Sequence, residues 1–145
     1  MSYTKIFIHG IFIVKDRRAL ITQELEPFLF AEMSKQIEKC KSKVLAINGS
    51  ANQVHVLISM HPDISYSALV KQVKGATSYK INSEDLIKEK YSWQKGVRGF
   101  SVSQSILSAK AKYIRNQKEH YKKKSFKEEY EEISKLHNHR EGKNH

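Results

Sequence analysis

Hydrophobic positions along the chain change period several times, and each change marks an element. Lys5-Ile6-Phe7-Ile8-His9-Gly10-Ile11-Phe12-Ile13-Val14 is β-branched and aromatic on both alternating faces, which predicts a central strand covered on both sides. Asp16-Arg17-Arg18 breaks it. Leu25, Phe28, Leu29, Met33 and Ile37 then recur at helical spacing, predicting a helix from a Thr22 cap to about Ser42. Lys43 to Asn48 reads as a strand, Asn48-Gly49 as a turn, and Gln53 to Met60 as the returning strand of a hairpin. Pro62 ends that strand. Ser65 can cap a second helix with Leu69, Val70 and Val73 inward and Lys71, Lys74 and Lys80 outward.

Beyond it, the pattern predicts a short helix near Asp85 to Lys90, then a glycine-interrupted stretch from Ser92 leading into a strand that ends at Val102. Ser103 can cap a helix carrying Tyr113, and Ser125-Phe126-Lys127-Glu128 is a capping-box pattern opening a final helix. From His137 the chain is polar, so a single domain over 1–136 with a polar tail over 137–145 is expected. The order strand, helix, strand, strand, helix, strand predicts an α+β fold: a ferredoxin-like antiparallel sheet, β-α-β-β-α-β, with an added Tyr113 helix and a C-terminal helix. The two regular helices cover one face. The Tyr113 helix is left for the other, where alternate residues of the Gln53 strand point.

That arrangement selects the candidate chemistry. Tyr113 and Gln117 are one helical turn apart and project from one face. Gln53 and His55, two apart on a strand, share a face as well. A phenol with a pKa of about 10 is a poor nucleophile at neutral pH, so it needs a base or a more reactive electrophile. A divalent cation beside it polarises a phosphate and orients the scissile bond. The His55 imidazole and the carbonyl oxygens of Gln53 and Gln117 are neutral donors that suit Mg²⁺ or Mn²⁺ at low affinity. The set fits phosphodiester cleavage through a covalent tyrosyl intermediate, although each member alone has an ordinary structural explanation.

Charge strengthens the nucleic-acid reading. The net charge is +11, and residues 86–127 hold twelve Lys or Arg against Glu89 and Glu119, a net of +10 around Tyr113. A one-sided basic patch favours a polyanion partner by counterion release. Lys95, Arg98, Lys110, Lys112 and Arg115 near the tyrosine, and Lys71 and Lys74 on the second helix, are candidate phosphate contacts. Tyr91, Trp93 and Phe100 are candidates for stacking on bases, with core packing the alternative. Membrane association fits worse, because no helix pairs a basic face with a strongly apolar one. One cysteine, Cys40, rules out a disulfide framework, and with no signal-like segment or membrane-length apolar run, a soluble, cytoplasmic protein is expected.

Longer motifs narrow the class. Trp93-Gln94-x-Gly96, Phe100-Ser101-Val102-Ser103-x-Ser105, Tyr113-Ile114-x-Asn116-Gln117-x-Glu119-His120 and Ser125-Phe126-x-x-Glu129-Tyr130 closely resemble the HUH single-tyrosine transposases of small bacterial insertion sequences. His9 in the first strand, Lys15-x-Arg17 and Lys74-x-x-x-Ser78 agree. The resemblance implies a metal-dependent transposase that cleaves and rejoins single-stranded DNA at hairpin-marked element ends through a 5′-phosphotyrosine. It implies Tyr113 as nucleophile, His55 and Gln117 as metal ligands, and a homodimer whose sites combine the tyrosine helix of one subunit with the metal ligands of the other. The departure is Gln53, where the family has the first histidine of its His-hydrophobic-His motif; Tyr121 likewise stands where a second histidine usually follows His120. An amide oxygen is a weaker donor than imidazole, which leaves a hairpin-DNA binder with weakened or lost cleavage as the alternative. An RNA-binding module of the same sheet ranks last, because its Lys/Arg-Gly-Phe-type strand motif is absent.

Overall fold

The computed structural model of the chain describes residues 4–121 and Ile133. Four strands, β1 (Ile6–Ile13), β2 (Lys43–Ser50), β3 (Gln53–Met60) and β4 (Gly99–Val102), form one sheet in the order β2-β3-β1-β4. All pairings are antiparallel. Helices α1 (Leu25–Lys39) and α2 (Tyr66–Ser83) complete the ferredoxin-like β-α-β-β-α-β order, and α3 (Leu107–Arg115) and α4 (Gln117–Tyr121) follow β4. The expected capping-box helix at Ser125 and the polar tail lie outside the described residues.

Side-chain alternation sends the two faces of the sheet to different tasks. Val54, Val56 and Ile58 of β3 and Phe12 of β1 join Leu29, Met33 and Ile37 of α1 and Leu69, Val70 and Val73 of α2 in the main core. Leu57 faces the other way and packs with Ala111 and Ile114 of α3 and Val102 of β4. Both central strands are therefore covered on both sides, as their unbroken apolar runs require. The Ser65 cap forms as its sequence predicts, with its hydroxyl oxygen accepting from Ala68 N at 3.1 Å. Thr22 Oγ1 accepts from Leu25 N at 3.1 Å at the start of α1.

Tyr66 lies across the β1–β4 pair, where Gly10 faces Gly99. A Cβ added at either glycine would run into the Tyr66 ring, whose hydroxyl donates to Arg98 O at 2.6 Å. Tyr91 and Trp93 close the far edge of the core, Trp93 Nε1 donating to Thr77 Oγ1 at 2.9 Å. Both belong to the core, Tyr91 fully buried and Trp93 8% exposed.

Two expected elements differ. Residues 85–90 form bends and no helix. The hairpin turns at Ala51-Asn52, with Ser50 still paired to Gln53, so Asn48-Gly49 lies inside β2. Asn-Gly favours a tight turn only when nothing else holds the pair. Here Asn48 is anchored through its side chain to the segment after α3: its Nδ2 donates to Arg115 O at 2.8 Å.

Candidate active site

The site is built on the sheet face opposite α1 and α2. Gln53 and His55 share the parity of Leu57 on β3, and both are 1% exposed. On β1 the neighbouring residues of that face are His9, Ile11 and Ile13, with Ile11 opposite His55 and Ile13 opposite Gln53. The predicted shared face of Gln53 and His55 is thus present, and it is closed from water.

Tyr113 reaches the same face from α3. It packs against the Ile11, Ile13 and Ile133 cluster, as Phe100 does, and against the Leu57–Ile114 cluster. The helix expected to carry both Tyr113 and Gln117 is broken between them: α3 ends at Arg115 and α4 begins at Gln117. The break is held by β2. Asn48, opposite His55 in the sheet register, donates to Arg115 O, and its Oδ1 accepts from Lys118 Nζ at 2.7 Å. Lys118 also pairs with Glu26 at 2.9 Å. These contacts flank Gln117 on both sides and hold its segment against β2, where Asn48 pairs with His55 of β3. In this chain α3 covers its own sheet.

Polar bookkeeping is unusual at this place. Gln117 is fully buried, yet among the described residues neither its Oε1 nor its Nε2 has a hydrogen-bond partner, and Gln53 Oε1 has none either. Native interiors rarely leave amides so. By contrast His55 Nδ1 is 2.8 Å from His9 Nε2, with His9 itself fully buried. The His55 imidazole and the amide oxygens of Gln53 and Gln117 are the candidate donors for a cation. Among the described residues no group of three or more His, Cys, Asp or Glu could hold a metal ion. The donor set instead mixes one imidazole with neutral amides, and fits a hard divalent cation bound weakly with water completing its shell.

The basic candidates separate into two groups. Lys71, Lys74 and Lys95 line a groove of about 490 Å³ between α2 and the 92–97 segment, where Lys74 Nζ donates to Gln94 O and Gly96 O at 2.6 Å each. Burial, and secondarily the nearby Arg98 charge, lower the pKa of Lys74. Lys112 and Arg115 are exposed on α3. Lys110 departs from the expected surface set. It is 2% exposed, its Nζ lies 5.8 Å from the Tyr113 ring centroid, and burial pushes its pKa down to about 8. The helix turns it onto the same sheet-facing stripe as Ile114 and Gln117, so it belongs beside the tyrosine and not on the outer surface.

Sequence reasoning assigned no role to three residues that shape the site. His9 was legible as the one imidazole in an apolar strand of matching parity. Asn48 read as a turn residue, and Lys118 had no local signal, because its partners Glu26 and Asn48 are remote in the chain.

Comparison with known proteins gives a consistent picture. Residues 2–117 match the family model described as "Transposase IS200 like". Among solved structures, a transposase candidate from Deinococcus radiodurans R1 is similar, with 21% identity and a TM-score of 0.65 over 80% of this chain and 93% of that one. A REP-associated tyrosine transposase bound to a REP hairpin is also similar, with 13% identity and a TM-score of 0.61 over 80% of this chain and 68% of that one. At these identities the two structures speak for the fold. Among curated proteins none is similar enough in sequence to count as a relative. No helix among the described residues is long and apolar enough to cross a membrane.

Proposed function

Because the chain belongs to the IS200-like transposase family, we propose that it cleaves and rejoins single-stranded DNA at hairpin-marked ends, with Tyr113 as the nucleophile. The observation that supports this reading is the pair of buried amides without partners among the described residues, Gln53 beside His55 on the β3 face where Tyr113 packs and Gln117 on the helix that follows α3. The hairpin is supported by the REP hairpin bound to the similar transposase and by the net +10 of residues 86–127.

In the cleavage step the Tyr113 oxygen bonds to phosphorus and the bond from phosphorus to the sugar 3′-oxygen breaks. The phenolic proton passes to solvent, and the 3′-oxygen leaves as a hydroxyl. The 5′-phosphate stays on the tyrosine, which conserves the bond for rejoining when a 3′-hydroxyl attacks in reverse. The Lys110 ammonium lies beside the ring, 5.8 Å from its centroid. His55, Gln53 and Gln117 would hold Mg²⁺ or Mn²⁺, which when bound polarises the phosphate. Lys71, Lys74, Lys95, Arg98, Lys112 and Arg115 are the candidate phosphate contacts.

The test is a denaturation-resistant protein–DNA adduct on a hairpin-bearing single strand with Mn²⁺. Tyr113→Phe removes one oxygen and is expected to abolish the adduct while leaving hairpin binding intact. An adduct that survives in the Phe variant sinks the assignment of Tyr113. Binding without an adduct in the unaltered protein would favour the second reading, a hairpin-DNA binder, which the Gln53 amide motivates. A homodimer belongs to the same proposal, with edge strand β2 available to pair with its twin. Light scattering is expected to give twice the 16.8 kDa chain mass; a monomer mass at high micromolar concentration refutes it.

A further inference from the structure

The groove between α2 and residues 92–97 lies away from the Tyr113 face, since α2 packs in the main core on the other side of the sheet. Its volume of about 490 Å³ is that of a small-ligand site. Val70, Trp93 and the exposed Val97 give it apolar walls, and Lys71, Lys74 and Lys95 bring three cations to the same space. Gly75, in the middle of α2, also lines it. Glycine inside a helix is destabilising relative to alanine, and here no packing asks for it: a Cβ added at Gly75 would meet nothing within 4 Å. The missing side chain leaves the groove open.

The groove is also formed in advance of any ligand. Lys74 Nζ donates to Gln94 O and Gly96 O at 2.6 Å each, which ties the loop wall to α2. Gln94 is fastened in turn to the end of β1, its N donating to Ile13 O at 2.7 Å and its Oε1 accepting from Asp16 N at 2.9 Å. An ammonium has three hydrogens to donate, and the two carbonyls use two of them. A site held in this way loses little freedom when it is filled.

Apolar walls and three cations around one cleft suit a ligand with a flat apolar part and an anionic part. A paired duplex offers phosphates but keeps its bases stacked inside; an unpaired nucleotide offers both. We infer, on the reading of this chain as a DNA-cleaving protein, that the groove takes one unpaired nucleotide of the substrate strand. Its base packs among Val70, Trp93 and Val97, and Lys74 meets its phosphate between Lys71 and Lys95.

Trp93 is the only tryptophan of the chain, so its emission reports on this groove. Two probes are compared in chelator-treated buffer, with binding followed by anisotropy: a DNA hairpin with unpaired flanks, and a blunt duplex of the same stem sequence. The hairpin strand is expected to quench Trp93 at saturation, and the bound duplex to leave it unchanged. Gly75→Leu puts a side chain into the open space and favours the helix. It is expected to bind the hairpin strand about 5–150-fold more weakly, the worth of one stacked base, and to show no quenching when saturated. Saturation by the hairpin strand without quenching overturns the inference, as does equal quenching by the duplex or a folded Gly75→Leu protein that binds the strand unchanged. The spectra of the unaltered protein need no variant, so the question stays decidable if Gly75→Leu does not fold. A Tyr113 adduct formed with Mn²⁺ but no quenching keeps the cleavage reading and removes the groove; quenching without an adduct does the reverse. No binding of either DNA refutes both.

Discussion

Replacing Gln117 by Met should make the protein more stable and the site less competent. Gln117 is fully buried, and both of its amide atoms lack partners among the described residues. Burying an unsatisfied amide costs about 1–3 kcal/mol on mutational scales. Met has a similar volume and the same unbranched reach, so it removes that cost with little repacking. The backbone on either side is held independently by Asn48 and Lys118. The expected gain is about 1–3 kcal/mol, or roughly 3–10 °C in Tm for a domain of this size.

The fold supplies its own control. Gln36 is 4% exposed, but its Nε2 donates to Glu32 Oε1 at 2.9 Å and its Oε1 accepts from Gln72 Nε2 at 2.9 Å. Gln36→Met strands Glu32 and Gln72 and should destabilise by about 1–3 kcal/mol. The same substitution at similar burial therefore has opposite signs at the two positions. Urea denaturation in chelator-treated buffer measures both. Added Mn²⁺ should narrow the gap between Gln117→Met and the unaltered protein, because only a complete donor set gains RT ln(1 + [L]/Kd). A Gln117→Met protein destabilised by 1 kcal/mol or more would refute the reasoning, since the amide would then be making bonds worth keeping.

Two further outcomes are expected. Gln53→His offers imidazole where the strand now presents an amide oxygen, and should tighten Mn²⁺ binding by about tenfold or more; calorimetric titration, with His55→Ala as the non-binding control, checks it, and equal affinities in all three proteins would mean no metal site. Lys110→Met should remove a pH dependence: the folded pKa of about 8 lies below the ordinary 10.5, so between these values the unfolded chain holds the extra proton and stability rises with pH, while below pH 8 the full penalty is present. The unaltered protein should therefore gain about 1–2 kcal/mol on the Met variant from pH 7.5 to 10, with pH-stepped urea melts as the measurement; parallel stability curves would refute the burial of charge.

Most of the fold was legible because its strongest signals are local. The runs of β1 and β3, the helical stripe of α1 and the Ser65 cap each determine structure within a few residues, and the strand–helix order then leaves few topologies. What escaped depends on contacts remote in sequence. Asn48-Gly49 has the composition of a turn, yet a bond to Arg115 O, 67 residues away, keeps it in β2. The stop between Arg115 and Gln117 has no glycine or proline to announce it. Lys110 reads as a surface cation from its charge, while the helical phase that buries it follows from which side of α3 meets the sheet. At the site, the shared faces of Gln53 with His55 and of Tyr113 with the sheet followed from parity; the His9–His55 bond required the β1–β3 register, which composition does not specify.

The division of β3 into two faces explains how the site can carry so poor a polar balance. Val54, Val56 and Ile58 are committed to the core with α1 and α2, and fix the strand's position whatever stands at 53 and 55. Gln53 and His55 lie on the opposite face, and their cost in buried polar groups falls on the layer beneath α3. This separation makes Gln53 an informative departure. Exchanging imidazole for amide there changes donor strength on one face without touching the packing on the other. The family resemblance and the buried geometry therefore converge on one measurable quantity, the affinity of this face for Mn²⁺.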